Sequence, residues 1–306
     1  MLPGRHRKTP YESLRDHVRR QLRWADAARL IRPDVFNDLH HWSGLKLFSL
    51  QYYVVMYSTI LPDFLKFLRK DQMVYVDILA GAGLNRIAEA GDFLPGSTII
   101  AAEAPSKKFD YVLALENDPD RSAALTKRLA QVRPRQSFEV IPYDAEWHAD
   151  TITGFLEERN AHYLAFIDYE GLGGFSWQSM ESLLEHSGDL FITFLPGWAR
   201  VAGRAWDADI KKLQWLVGPE LASSARNLDG LFTGYVDQIK DYRENVIDIP
   251  IRSGGSYEYE LIFAARETRG KSPWLRGVED LRSHLLNLTA DDVVRAIREI
   301  RAEKPT

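Results

Sequence analysis

Four acids, Asp77, Glu116, Asp144 and Asp168, each close an apolar run of the chain, and the first is followed by two glycines one residue apart, Gly81 and Gly83. An apolar run ending in an acid and a tight glycine turn reads as a buried parallel strand whose backbone comes close to a phosphate or a nucleoside. A dinucleotide site wants a third glycine three residues further on, where this chain has Arg86. The same acid and Gly-x-Gly suit S-adenosylmethionine, which carries no diphosphate; Asp77 would then sit near the methionine ammonium. For the tripeptide alone, an ordinary buried strand ending in a glycine turn stays open.

The later acids extend that chemistry. Glu116, after the run from Phe109 to Leu115, can accept both hydroxyl protons of a ribose diol. Asp144, beside Tyr143 and Trp147, can accept from an adenine amino group while a ring covers the base. Asp168 follows the fourth run, where substrate meets cofactor in an open parallel sheet, and is the best catalytic candidate. Ser97 or Thr98 reads as the cap of a helix whose free amides could receive a carboxylate, or as a plain cap with no ligand.

The elements that must hold these residues alternate. Residues 10–32 predict a basic amphipathic helix, and Leu45 to Arg69 a long apolar helix that Pro62 should kink or divide. Strands are expected at Val74, Phe109, Phe138, Tyr163 and Asp189. Helices are expected over Arg121 to Val132, Thr151 to Asn160, Trp177 to His186 and Asp237 to Glu244. Leu84 to Pro95 reads as an irregular insertion. Val246 to Arg252 and Tyr257 to Arg266, around Ser253-Gly254-Gly255-Ser256, form an antiparallel hairpin. The tail from Trp274 is helical, with a capping box at Thr289 and Asp292. Strand and helix in alternation predict an α/β, Rossmann-like, mostly parallel sheet closed by that hairpin, with helical extensions at both ends.

Composition narrows the classes. The chain has 306 residues, 45% hydrophobic and 27% charged, with a net charge of -4, as in an ordinary globular protein. Zero cysteines exclude disulfides, thiol nucleophiles and thiolate metal sites, and the eight histidines show no metal spacing. No apolar run is long enough to span a bilayer and no leader is evident, so no membrane partner and a cytoplasmic location are expected. Residues 1–32 carry nine Lys/Arg against three acids, a net +6 on an otherwise acidic chain, which makes nucleic acid a candidate partner; a solvated basic helix is the plainer reading. Arg200 and Arg204 with Trp198 and Trp206 could line a substrate cleft or touch nucleic acid, or simply pack.

From about Trp42 to Gly270 the chain resembles the three-Cys-motif partner family (TcmP), class I S-adenosylmethionine-dependent methyltransferases known mainly from bacterial and archaeal genomes. The likeness is carried by Trp42 and Lys46, Asp77 to Gly83, Pro95-Gly96-Ser97, Phe109 leading to Glu116, Phe166-Ile167-Asp168 with Gly171, and Tyr257 to Gly270. The resemblance implies a methyltransferase domain over 42–270, flanked by a basic arm over 1–41 and a helical extension over 271–306. It implies S-adenosylmethionine as cofactor, held by Asp77, Gly81, Gly83, Ser97, Glu116 and Asp144. The family's acid-Pro-aromatic-Gly turn is here Asp168-Tyr169-Glu170-Gly171, which removes a rigid turn and adds Glu170 as a second carboxylate at the transfer position. Asp168 and Glu170 are thus the expected catalytic pair. A nucleoside-binding scaffold or partner of another protein, without catalysis, is the alternative, and a nicotinamide oxidoreductase a distant third.

Overall fold

The computed structural model of the protein describes residues 8–141, 150–169, 175–194, 210–252, 258–266 and 273–303. Its first element is α1 (Pro10–Arg29), capped by the Thr9 hydroxyl, which accepts from the Glu12 amide, and ending before Pro33 as expected. A short strand, β1 (Asn37–Leu39), leads into α2 (Trp42–Leu68), 27 residues that run through Pro62 without interruption. The expected division does not occur. Leu61 and Leu65 on either side of the proline stay buried, and packing of this apolar helix outweighs the one backbone bond the proline removes.

The central strand β2 (Gln72–Ile78) follows. The stretch read as irregular is a hairpin, β3 (Leu84–Ile87) and β4 (Asp92–Pro95), and β3 pairs in parallel with β1 to make a three-stranded sheet. Next come α3 (Ser97–Glu103), β5 (Tyr111–Leu115), α4 (Pro119–Val132), β6 (Phe138–Ile141), α5 (Asp150–Glu158), β7 (Ala161–Asp168), α6 (Trp177–Glu185) and β8 (Gly188–Phe194). Residues 210–217 are helical (α7). After them stand α8 (Pro219–Ser224), α9 (Leu228–Lys240), β9 (Asn245–Arg252), β10 (Glu258–Ala265), α10 (Pro273–Leu285) and α11 (Ala290–Ala302). The helix expected from Asp237 is the end of α9, which starts nine residues earlier because the Asn227 side chain caps it on the Gly230 amide at 2.8 Å. The box at Thr289 is present: its amide donates to Asp292 at 2.8 Å.

The large sheet has the order β6-β5-β2-β7-β8-β10-β9, with β10 alone reversed. From β2 the chain builds outward through β5 and β6, then returns to the other side of β2 for β7 and β8. The carboxyl end of β2 is therefore a topological switch point, where open sheets bind ligands. Five parallel strands closed by an antiparallel hairpin make the Rossmann-like, mostly parallel sheet expected from the sequence. One face of the sheet packs on α1, α2, α3, α10 and α11, the other on α5, α6 and α9. Leu14, Val18 and Leu22 of α1 belong to the first core, so the basic helix is docked through its apolar stripe. Among the described residues no helix is long and apolar enough to cross a membrane.

Candidate active site

Beyond Ile78 the backbone turns sharply. Leu79, Gly81 and Gly83 all have positive φ, at 66°, 65° and 76°. Glycine takes this conformation freely, but at Leu79 it is strained, so the turn holds a non-glycine residue against its preference beside the site. The turn is also crowded: a Cβ on Gly81 would lie 2.3 Å from the Asn37 amide nitrogen, and one on Gly96 would lie 2.6 Å from the Gly83 Cα. The loop is thus packed against the N-terminal segment on one side and the start of α3 on the other, with Gly96 N–H donating to Gly83 O at 2.9 Å.

Asp77 lies at the penultimate position of β2, fully buried. Its Oδ2 accepts from the Thr98 hydroxyl at 2.5 Å and lies 3.5 Å from the Tyr75 hydroxyl; Oδ1 has no hydrogen-bond partner among the described residues. Burial pushes this carboxyl up to about 7, against the pull of the Thr98 and Ser97 hydroxyls. Ser97 and Thr98 are therefore not helix caps. Gly96 is the N-cap of α3, a helix of 7 residues, and both hydroxyls of its first turn act on Asp77.

Glu116 is buried just past β5, where its two oxygens accept from the Gly81 amide at 2.7 Å and the Asp118 amide at 2.8 Å. It locks the glycine loop onto the second strand, and each oxygen keeps lone pairs for a further donor. Asp144 lies outside the described residues, as do Tyr143, Trp147, Glu170, Gly171, Trp198, Arg200, Arg204 and Trp206.

Asp168 ends β7. Its Oδ1 accepts from the Thr193 hydroxyl at 2.9 Å and its Oδ2 is bonded by the Lys46 ammonium. The Lys46 side chain is 11% exposed and that of Asp168 22%, at the floor of a cleft of about 280 Å³. Asn37, Ser43, Arg121, Tyr169 and Tyr259 also line it. Asp77 pairs with Phe166 and Asp168 with Thr193 in the strand registers, so both acids project from the α2 face of the sheet. The carboxylate of Asp168 adds to the upward push on Asp77. The structure thus brings together Asp77, Gly81, Gly83, Ser97, Glu116 and Asp168.

Several positioning residues escape the sequence reading. Asn37 covers the loop, its Nδ2 donating to Asn85 at 2.9 Å and its Oδ1 accepting from Ala82 N at 3.4 Å. Arg128 of α4 is buried and gives its guanidinium to backbone oxygens: Ala82 at 2.5 Å, Val35 at 2.8 Å, Ile31 and Arg32 at 2.9 Å, and Ala28 at 3.1 Å. Burial lowers its pKa to about 10. One cation thereby ties the end of α1 to the glycine loop. Lys46 is the only charged residue between Trp42 and Pro62, and a lone cation in an apolar helix is a legible request for a buried acid.

No family model matches the chain, and no curated protein matches it in sequence. Solved structures do superpose on it. An O-methyltransferase from Bacillus cereus in complex with SAH is 11% identical, over 87% of this chain and 94% of that one, with a TM-score of 0.40. Trm1 from Pyrococcus horikoshii with S-adenosyl-L-methionine is 12% identical over 83% and 75%, at 0.41. Cofactor-bound Rv0187 from MTB is 13% identical over 88% and 94%, at 0.39. The strand order, not these superpositions, carries the fold.

Proposed function

We propose that this chain is an S-adenosylmethionine-dependent methyltransferase of the three-Cys-motif partner type. The observation that carries the reading is the fully buried Asp77, with one unpartnered oxygen, beside a glycine loop at the switch point of the sheet. A buried carboxyl with an open acceptor is matched by an ammonium, and the positive-φ glycine turn beside it lies where an open parallel sheet receives its ligand. When bound, the cofactor supplies an electrophilic methyl group on a sulfonium. Asp77 would receive its methionine ammonium, Gly81 and Gly83 would form the tight turn beside it, and Glu116 would accept from the ribose hydroxyls. Asp144 is assigned to the adenine.

Asp168 orients the acceptor in the polar cleft and takes its proton. Lys46 and Thr193 fix the plane of that carboxylate, because each bonds one oxygen. The protein's contribution is chiefly alignment of the nucleophile with the methyl group. Glu170 joins Asp168 in this role. Titration with S-adenosylmethionine tests the reading: a saturable heat is expected for the wild type, with at least about a tenfold loss of affinity in Glu116→Ala. The absence of any heat with wild type sinks it.

The occupied oxygens of Asp168 favour a second reading, a nucleoside-binding scaffold or partner subunit in which the Lys46–Asp168 pair is structural. It is distinguished by cofactor binding without turnover. A nucleic-acid acceptor held by the N-terminal helix would rest on few cations. Arg15 and Arg19 are bonded to Glu303, Arg32 to Asp34 and Asp120, and Lys8 to Asp16; Arg29 lies over the Phe93 ring. Among the described cations of the segment, Arg20 and Arg23 are left without an acid within salt-bridge distance or a ring beneath them, and these two would add about -2 to the logarithmic salt slope of binding.

A further inference from the structure

At the opposite ends of the central strands a second cavity opens on the same face. It is smaller, about 80 Å³, and lies where β7 and β8 begin. Tyr57, Leu61, Phe64 and Leu68, along one side of α2, wall it with Ile60 and Trp274. His162, the second residue of β7, and Asp189, the second of β8, lie at its polar end. Six residues of strand separate His162 from Asp168, a distance of about 20 Å, so this slot is remote from the candidate active site.

The polar end is held from behind. The Trp274 indole N–H donates to the Tyr53 hydroxyl at 2.6 Å, and that hydroxyl donates to Asp189 Oδ2 at 2.9 Å. His162 Nδ1 is paired with the Tyr57 hydroxyl at 2.8 Å. Asp189 has no cation within salt-bridge distance among the described residues. Its nearest cationic neighbour, Arg243, gives its guanidinium to the backbone oxygens of Leu184, His186 and Gly188 and to the Tyr163 hydroxyl. Arg266 at the mouth donates to Glu185 O at 2.9 Å. An acid so held, oriented by a phenol and an indole and facing an apolar slot, is complementary to one kind of small molecule.

We propose that this slot is a second binding site, taking a small apolar primary amine whose ammonium bonds Asp189 and whose hydrocarbon part lies along Tyr57, Leu61 and Phe64. Burial that pushes Asp189 up to about 7 supports it, since a carboxyl lacking a charge partner gains most from one. An anion of the same size meets the carboxyl and is refused. The His162 ring, lowered to about 3 by burial, stays neutral and brings no competing cation.

Isothermal titration of the full chain with propylamine and butylamine tests the site, with butyrate as the control. Ligands of this size are expected to bind with dissociation constants of about millimolar. Asp189→Asn should weaken them by about tenfold or more, and Leu61→Trp, which fills the slot without touching the carboxyl, should abolish binding. Should Asp189→Asn fail to fold, Leu61→Trp alone decides. Saturating S-adenosylmethionine should leave the amine affinity unchanged, and the amine should bind equally if S-adenosylmethionine itself does not. Failure of both amines to bind, equal binding of butyrate, retention in Leu61→Trp, or competition with S-adenosylmethionine would each overturn the proposal.

Discussion

Asp77 and Asp189 are two buried carboxyls on one face of one sheet, and burial pushes both up to about 7. They differ in their surroundings. Asp77 stands beside a glycine loop and faces two hydroxyls of α3, close to a polar cleft; Asp189 is held by a phenol backed by an indole and faces an apolar slot. The shared feature, a carboxyl lacking a cation, sets the charge each position accepts, whereas the walls set what carries that charge. A third acid on the same face, Asp168, already has its cation in Lys46. The contrast separates two carboxyls with no cation within salt-bridge distance among the described residues from one whose charge Lys46 balances.

The largest effect expected is on the pH dependence of stability. A carboxyl with a raised folded pKa keeps its proton in the native state where the unfolded chain has lost it. Stability is therefore highest below about pH 4 for that group and is lost as the pH rises towards 7. Each carboxyl accounts for up to about 4 kcal/mol across that window. Urea titrations of Asp77→Asn and Asp189→Asn should each flatten the fall by about half; a slope unchanged in one of them would remove that residue from the comparison.

Next is the cofactor itself. Asp77→Asn should cost about 3 kcal/mol of S-adenosylmethionine affinity, whereas Asp189→Asn should leave it within about twofold. Equal losses in the two variants would erase the distinction between the ends of the sheet. Lys46→Met is expected to cost about 2 kcal/mol of stability, since it strips Asp168 of its partner, with little change in cofactor affinity. A large loss of affinity instead would place Lys46 on the cofactor. Smallest is Glu303→Ala: the thermal midpoint should stay put, while freed Arg19 steepens the salt dependence of any nucleic-acid binding; Arg15 keeps Glu299.

Much of this was legible in the residues. Apolar runs of the right length, each closed by an acid, mark β2, β5 and β7 because buried parallel strands must be apolar on both faces. The glycines of the loop were legible for the same local reason. What stayed hidden depends on distant partners. The four residues of β3 and the three of β1 are too short to show alternation, and they form strands because they pair with each other. Start signals misled at Ser97 and Thr98, whose hydroxyls answer the burial of Asp77 rather than the helix end. Arg128 reads as one more charge on an amphipathic helix, and only the approach of residues 28–35 makes it a clamp.

The central claim is that Asp77 receives an ammonium. Calorimetric titration with S-adenosylmethionine at pH 6, repeated in buffers of different ionisation enthalpy, counts the protons exchanged on binding. A carboxyl with a pKa near 7 is protonated there, so landing an ammonium on it should release about one proton, a release that shrinks as the pH rises through 7 and is absent in Asp77→Asn at pH 6. Binding with no proton release at pH 6, or with the same release in Asp77→Asn, would contradict the assignment.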